Sequence, residues 1–225
     1  YYSTVYYVIT KLHIIPTTFV TVLFPLFAYN SHSSETTKNS LLIGKYILIV
    51  ILIISPIIFM AQIWSYDLIS IWLSPDFAQK SYKIAMILLI GVLWNTLAQI
   101  PFTFLQANGN SSKTALFHII ELVLFLPILY FSITKFGIIG AALAWSIRVI
   151  LDFMLLFYST NKTTKQLLDI SIILFPILMS ICLVLILIID SNNIYFKITL
   201  TIFMCSIYLY FLKNNKYIFY DNRKK

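Results

Sequence analysis

Long apolar runs separated by short polar loops constrain this sequence more than any other feature. Seven runs are distinguishable, and each is close to the roughly 20 residues that a helix needs to cross a bilayer. The sequence therefore predicts an all-α polytopic membrane bundle that forms a single transmembrane domain over residues 1–225. The predicted spans are residues 4–29, 46–65, 84–105, 114–134, 137–159, 167–189 and 194–212.

The composition excludes a water-soluble domain. Of the 225 residues, 60% are hydrophobic and 11% are charged, and the mean hydropathy is +0.90, whereas soluble domains carry about 25% charged residues. In such a protein the net charge of +8 reports topology, so nucleic acid is not an expected partner. Cys182 and Cys205 lie inside apolar runs, and no spacing of Cys and His suits a metal, so neither a metal nor a cofactor is predicted.

Basic residues predict the orientation in the membrane. If the C-terminal tail is cytoplasmic, ten basic residues lie on its side of the membrane and four lie outside, which is the positive-inside pattern and places Tyr1 outside. We also expect that an N-terminal part is missing, and that residues 64–81 form an external interfacial segment with an aromatic belt. The ten residues are Lys38, Lys45, Lys113, Lys162, Lys165, Lys213, Lys216, Arg223, Lys224 and Lys225, and the four are Lys80, Lys83, Lys135 and Lys197.

Ionisable residues inside the predicted spans mark candidate functional positions. Each costs about 2.5–3.5 kcal/mol at the centre of a spanning helix, so such residues normally face a cavity or each other. In the fifth span, the steps of three and four place small residues and both charges on one helical face; these residues are Gly137, Ala141, Ala144, Arg148 and Asp152. A simple Arg148–Asp152 pair within that helix is the alternative.

Depth counting places two charges of neighbouring spans side by side. Glu121 in the fourth span and Arg148 in the fifth differ by roughly 3 Å in depth at 1.5 Å per residue, so we expect them to be in contact. His118 lies one turn before Glu121 on the same face. Glu121, Asp152 and His118 are therefore candidates for ion coupling by protonation or Na⁺ binding, although His118 could simply pack.

Two polar stripes supply candidate substrate-binding residues. In the third span, the stripe consists of Asn95, Gln99, Thr103 and Gln106, and it suits either a cavity wall or a contact between helices. In the first span, Tyr7 and Lys11 lie on a similar stripe. Alternatively, the Lys11 side chain could extend so that its ammonium group lies at the membrane–water interface. The candidate binding residues are Lys11, Arg148, Asn95, Gln99 and Tyr7.

Three local motifs are arranged in the order and spacing of a known family. They are residues 22–27 (VLFPLF), residues 105–109 (LQANG) and residues 136–144 (FGIIGAALA). In these motifs the chain resembles the C-terminal half of a polysaccharide biosynthesis flippase of the O-antigen type. That family belongs to the multidrug/oligosaccharidyl-lipid/polysaccharide exporter superfamily.

The resemblance implies two helical lobes around a central cavity and alternating access across the bacterial inner membrane. The cargo would be an undecaprenyl-pyrophosphate-linked oligosaccharide, the repeat unit of O-antigen, capsule or exopolysaccharide, whose pyrophosphate Lys11 and Arg148 would bind. The N-terminal lobe would be absent from this chain. Implied partners are that lobe, membrane lipids, a polysaccharide polymerase and a chain-length regulator.

Three alternatives to this function remain. A multidrug and organic-cation exporter of the same superfamily would use Glu121 and Asp152 as its cavity acids. A membrane glycosyltransferase or polymerase would need a catalytic group on a large external loop, but the longest external segment has about 18 residues and contains no His or Arg, so we predict a non-enzyme. The third alternative is a structural subunit, whose intramembrane charges would only pair with each other.

Overall fold

The computed structural model describes residues 1–32, 36–164, 171–189 and 193–214, and no β-strand occurs among them. The chain is thus an all-α helical bundle, as predicted. Its elements are α1 (Tyr2–Ile9), a 3₁₀ turn (Thr10–His13), α2 (Ile14–His32), α3 (Thr36–Ile63), α4 (Ser65–Trp72), α5 (Pro75–Ala107), α6 (Ser111–Thr164), α7 (Ser171–Ile189) and α8 (Ile194–Asn214).

The first predicted span contains a break. Pro16 has no N–H to donate to the carbonyl of Leu12 and its ring crowds that carbonyl. The backbone takes a tighter 3₁₀ path over Thr10–His13 before α2 begins. A 3₁₀ stretch inside a long helix often marks a hinge or a functional position.

Residues 64–81, predicted to form an external interfacial segment, consist of the short helix α4 and the first turns of α5, and their interfacial position stays a prediction. Ser74 caps α5 by accepting a hydrogen bond from the N–H of Phe77 at 3.2 Å. Pro75 occupies the first helical position and Asp76 the first turn, both favourable at a helix N-terminus. As a result, α5 begins nine residues before the predicted start of the third span.

Helix α6 contains the fourth and fifth predicted spans, joined at Gly137. This glycine has φ +57° and ψ −134°, a conformation open to glycine and costly for other residues. We call residues 111–136 and 138–164 the first and second arms of α6. Their residues Glu121 and Arg148 would lie about 40 Å apart in a straight helix, yet their side chains meet, so the two arms run antiparallel.

Helix α5 is the centre of the bundle. Most of its side chains are buried, and α1, α2, α3, α4, α6 and α7 all pack against it. Polar contacts supplement the apolar core: the indole N–H of Trp94 donates to Ser180 Oγ at 2.8 Å, and Ser146 Oγ donates to the carbonyl of Ile87 at 3.0 Å. A Cβ at Gly91 would lie 2.5 Å from the Trp145 ring, so this glycine permits close packing of α5 against the second arm.

In the described residues, four helices are long and apolar enough to cross a membrane: Tyr2–Ser31, Asn39–Ile63, Pro75–Ala107 and Ser111–Thr164. Shorter apolar helices cover Pro176–Ile189 and Ile194–Phe203. The predicted spans fall on helices where they are described, except that the second, residues 46–65, runs past the end of α3 at Ile63. Residues 167–170 of the sixth lie outside the described residues. Seven crossings, their orientation and a missing lobe stay predictions.

The tight joint of α6 yields a first prediction. A side chain at Gly140 would overlap the backbone carbonyl of Ser132 on the other arm, and overpacking of this kind typically costs about 1–3 kcal/mol. We expect Gly140→Ala to lower the thermal unfolding temperature of the full chain in detergent. Ala115→Leu, which enlarges an exposed position on the first arm, is the control. Equal melting of wild type and Gly140→Ala would contradict the tight joint.

Candidate intramembrane binding site

The hairpin of α6 brings four ionisable side chains together. Arg148 Nη1 lies 3.6 Å from Glu121 Oε2, and His118 Nδ1 lies 3.7 Å from the same oxygen. Asp152 completes the group, since ligand atoms of His118, Glu121 and Asp152 all lie within 4.8 Å of one another. The contact expected from depth counting between Glu121 and Arg148 is thus present. We call these four residues the charged cluster.

Glu121 is the most enclosed member of the charged cluster. It is 2% exposed, whereas the side chain of Arg148 is 36% exposed. Neither Glu121 oxygen has a hydrogen bond in the structure, and Asp152 Oδ1 also lacks one. A buried carboxylate needs a counter-charge or a proton, and the Arg148 guanidinium supplies a permanent positive charge 3.6 Å away.

The alternative of an Arg148–Asp152 pair within one helix is not what the structure contains. Within the part of the chain that the structure describes, the ion pair of Arg148 is with Glu121 on the opposite arm. The Arg148 guanidinium also lies 5.8 Å from the ring centre of Phe125. Asp152 therefore stays available for another proton or cation.

A cavity of about 190 Å³ lies beside the charged cluster. Its walls come from the polar stripe of α5 and from both arms of α6, and they consist of Asn95, Ala98, Gln99, Phe102, His118 and Asp152. We call it the polar cavity. The predicted residues Asn95, Gln99, His118 and Asp152 thus meet in one place. Thr103 does not line it and donates to the carbonyl of Gln99 within α5 at 2.6 Å, and Gln106 lies exposed near the end of α5.

The first span contributes a residue that the sequence analysis did not select. His13, at the end of the 3₁₀ turn, places Nδ1 3.4 Å from Gln99 Nε2, and its buried Nε2 has no hydrogen-bond partner. His13 could have been selected from the sequence, because it is an ionisable residue inside an apolar run. The sequence did not show in which direction the interrupted helix orients the His13 side chain.

Lys11 and Tyr7 lie away from the polar cavity. Lys11 is exposed, and its Nζ lies 4.1 Å from the ring centre of Tyr7, which is also exposed. Neither residue belongs to the cavity wall. The structure therefore does not bring Lys11 and Arg148 into one site of this chain, contrary to the expectation of two cations in a shared cavity.

The chemistry of the charged cluster suits an exchangeable ion. Two carboxylates and an imidazole can share a proton or supply oxygen and nitrogen ligands to a cation, although the sequence spacing did not predict a metal-ligating group. Arg148 can bind phosphate oxygens through its guanidinium fork. An anion and a cation can therefore bind at neighbouring positions in the charged cluster.

The fold and this site define a polytopic helical membrane protein with a charged cavity between its helices that is large enough for several water molecules, which is the arrangement that membrane transporters use. Over 156 residues, 69% of the chain, the sequence is 41% identical to a Shigella flexneri protein named "Putative O-antigen transporter". The similarity confirms the resemblance to an O-antigen flippase type of family that the three motifs indicated. The name of this relative agrees with the prediction that the chain is not an enzyme.

The matched segment makes up 37% of the length of that relative. No protein-family model and no solved structure matches the chain.

The Glu121–Arg148 contact generates a second prediction. Removing one partner of a buried ion pair leaves an uncompensated charge and costs about 3–5 kcal/mol; the partial exposure of Arg148 lowers our expectation to about 1–3 kcal/mol for Arg148→Met. Glu121→Gln in the same chain should recover most of that loss. Thermal unfolding in detergent of the two single variants and the double variant measures the coupling. Additive losses would contradict an energetic pair.

Proposed function

We propose that this chain forms part of an exporter that moves an undecaprenyl-pyrophosphate-linked oligosaccharide across the bacterial inner membrane. The observation that carries the proposal is the Glu121–Arg148 pair beside a polar cavity, in a chain related to a protein named as an O-antigen transporter. The cargo would be a repeat unit of O-antigen, capsule or exopolysaccharide. The proposed orientation places the C-terminus in the cytoplasm, as the distribution of basic residues favours.

Arg148 is the proposed contact for the pyrophosphate. Its guanidinium is reachable at 36% exposure, and a guanidinium binds phosphate oxygens in a bidentate manner. Asn95 and Gln99 provide amide donors and acceptors at the cavity wall, which match the hydroxyl groups of a sugar. Lys11 and Tyr7 lie on another face of the first span, where they would meet cargo only outside the polar cavity.

Competition for Arg148 couples cargo to an ion in this proposal. When the pyrophosphate binds Arg148, buried Glu121 loses its counter-charge. A carboxylate in that position must then take up a proton or a cation such as Na⁺, and His118 and Asp152 lie within reach to share it. Release of the cargo returns Arg148 to Glu121 and expels the ion. Glu121 is thus neutralised by Arg148 in one state and by the bound proton or cation in the other.

The remaining partners follow from the family resemblance. The polypeptide that completes the transporter would supply the opposite wall of the cavity. A polysaccharide polymerase and a chain-length regulator would use the exported repeat unit on the far side of the membrane.

An organic-cation exporter is the second candidate function. The observation that favours it is that Glu121 and Asp152 are both carboxylates and lie close to the polar cavity. In that case the cargo itself would neutralise Glu121, and Arg148 would hinder its binding.

Complementation tests the proposed function. The complete transporter containing this chain is expressed in a flippase-deficient bacterium, and surface polysaccharide is measured. We expect Arg148→Ala to lower the polymer at least tenfold at unchanged protein level, because the pyrophosphate contact is lost. Lys135→Ala removes a cation from the exposed joint of α6 and should export normally.

Two outcomes would contradict the proposal. One is normal polymer export by Arg148→Ala. The other is a wild type that restores no polymer but expels cationic dyes in a manner that depends on Glu121, which would establish the organic-cation exporter.

A further inference from the structure

A second cavity, almost entirely apolar, lies between α1, α3, α4 and α5. Its volume is about 350 Å³, and Ser65 is the only residue of its wall with a hydrogen-bonding side chain apart from the indole of Trp72. Its wall includes Val5, Leu12, Ala61, Leu68, Trp72 and Leu89. We call it the apolar cavity. It lies at the end of the bundle where α4 joins α3 to α5.

The apolar cavity opens on the outer surface of the bundle. Leu68 and Trp72 are 52% and 55% exposed, whereas Val5 and Leu89 at its floor are 4% and 2% exposed. Three of its four walls are helices long and apolar enough to cross a membrane or are continuous with one. Its apolar lining suits an apolar occupant such as a hydrocarbon chain.

The size of the apolar cavity suits part of a hydrocarbon chain. An engineered cavity of about 150 Å³ accommodates benzene, so 350 Å³ accommodates roughly a dozen carbon atoms. An apolar void of this size left unfilled would forfeit the dispersion contacts of its whole lining. A chain that enters from the bilayer restores those contacts.

The two cavities lie on either side of the same 3₁₀ turn. Leu12 lines the apolar cavity, and the next residue, His13, contacts Gln99 at the wall of the polar cavity. Along α5, Leu89 at the apolar cavity and Asn95 at the polar cavity are six residues apart, about 9 Å of helix. The arrangement matches a ligand with a polar end and an apolar end.

We propose that the apolar cavity binds a segment of the polyisoprenoid tail of the transported lipid while its diphosphate is at Arg148. This inference rests on the proposed function. It favours the transported lipid over a bulk phospholipid because only the transported lipid brings its head group to the depth of the polar cavity. The head group of a phospholipid stays at the membrane surface, where the polar cavity cannot contact it.

The test fills the apolar cavity and leaves the charged cluster intact. Ala61→Phe places a ring in the cavity. Met60→Phe introduces the same residue at the neighbouring position of α3, which is exposed and outside the cavity wall, and serves as the matched control. The probe is a polyprenyl diphosphate with a photoreactive diazirine in its isoprenoid tail, added to membranes that contain the complete transporter.

The expected result is labelling of the peptides that contain the cavity residues in wild type and Met60→Phe, reduced about tenfold in Ala61→Phe. Unlabelled polyprenyl diphosphate should compete, and an equal excess of phosphatidylglycerol should not. Labelling that phosphatidylglycerol suppresses equally would assign the cavity to bulk lipid and overturn the inference. Absence of labelling, as expected if another part of the transporter fills the cavity, would overturn it as well.

Export measured in parallel separates this inference from the proposed function. If wild type restores surface polymer but its cavity peptides are not labelled, the tail site is wrong and the proposed function stands. If wild type restores no polymer, the proposed function itself fails. Unchanged melting of Ala61→Phe in detergent shows that a loss of labelling comes from the filled cavity and not from unfolding.

Discussion

A buried carboxylate opposite a partly exposed guanidinium is the interaction on which the structure of the site depends. A bilayer cannot solvate the charge of Glu121, so the charge must be paired or neutralised. The tight joint at Gly137 and Gly140 places Arg148 on the second arm of α6 at the same depth. The Glu121–Arg148 contact in the charged cluster therefore depends on the backbone conformation of the joint.

The central helix α5 connects this arrangement to the rest of the bundle. Its polar stripe forms the wall opposite the α6 hairpin, and its first half contributes Ala85 and Leu89 to the apolar cavity. The 3₁₀ turn of the first span separates the two cavities. A change in the first span would therefore alter both cavities together, which is a property expected of a transporter that binds both ends of an amphiphile.

Much of the fold could be predicted from the sequence, because few backbone conformations are possible in a lipid environment. Apolar run length predicts the helices, and the fourth and fifth spans run antiparallel side by side, so the Glu121–Arg148 contact could be predicted by counting depth from the midpoint of each span. The start of α5 was misplaced because the capping by Ser74 and Pro75 extends the helix into a segment that is polar and aromatic. The length of an apolar run alone does not show such capping residues.

The positions of His13 and Lys11 could not be obtained by counting. The 3₁₀ turn over Thr10–His13 interrupts the regular helix before Pro16. The direction of each side chain after such a break depends on packing against α5. Cavities are likewise the result of packing among several helices. The sequence indicates which residues could line a cavity, but it does not determine which of them contact one another.

The most direct test of competition between Glu121 and a diphosphate for Arg148 is the affinity of the complete transporter in detergent for polyprenyl diphosphate. Glu121→Gln removes the competing carboxylate and keeps the shape of the side chain. The account predicts that Glu121→Gln binds the diphosphate about tenfold more tightly than wild type, which corresponds to about 1.4 kcal/mol. Equal or weaker binding by Glu121→Gln would contradict the account.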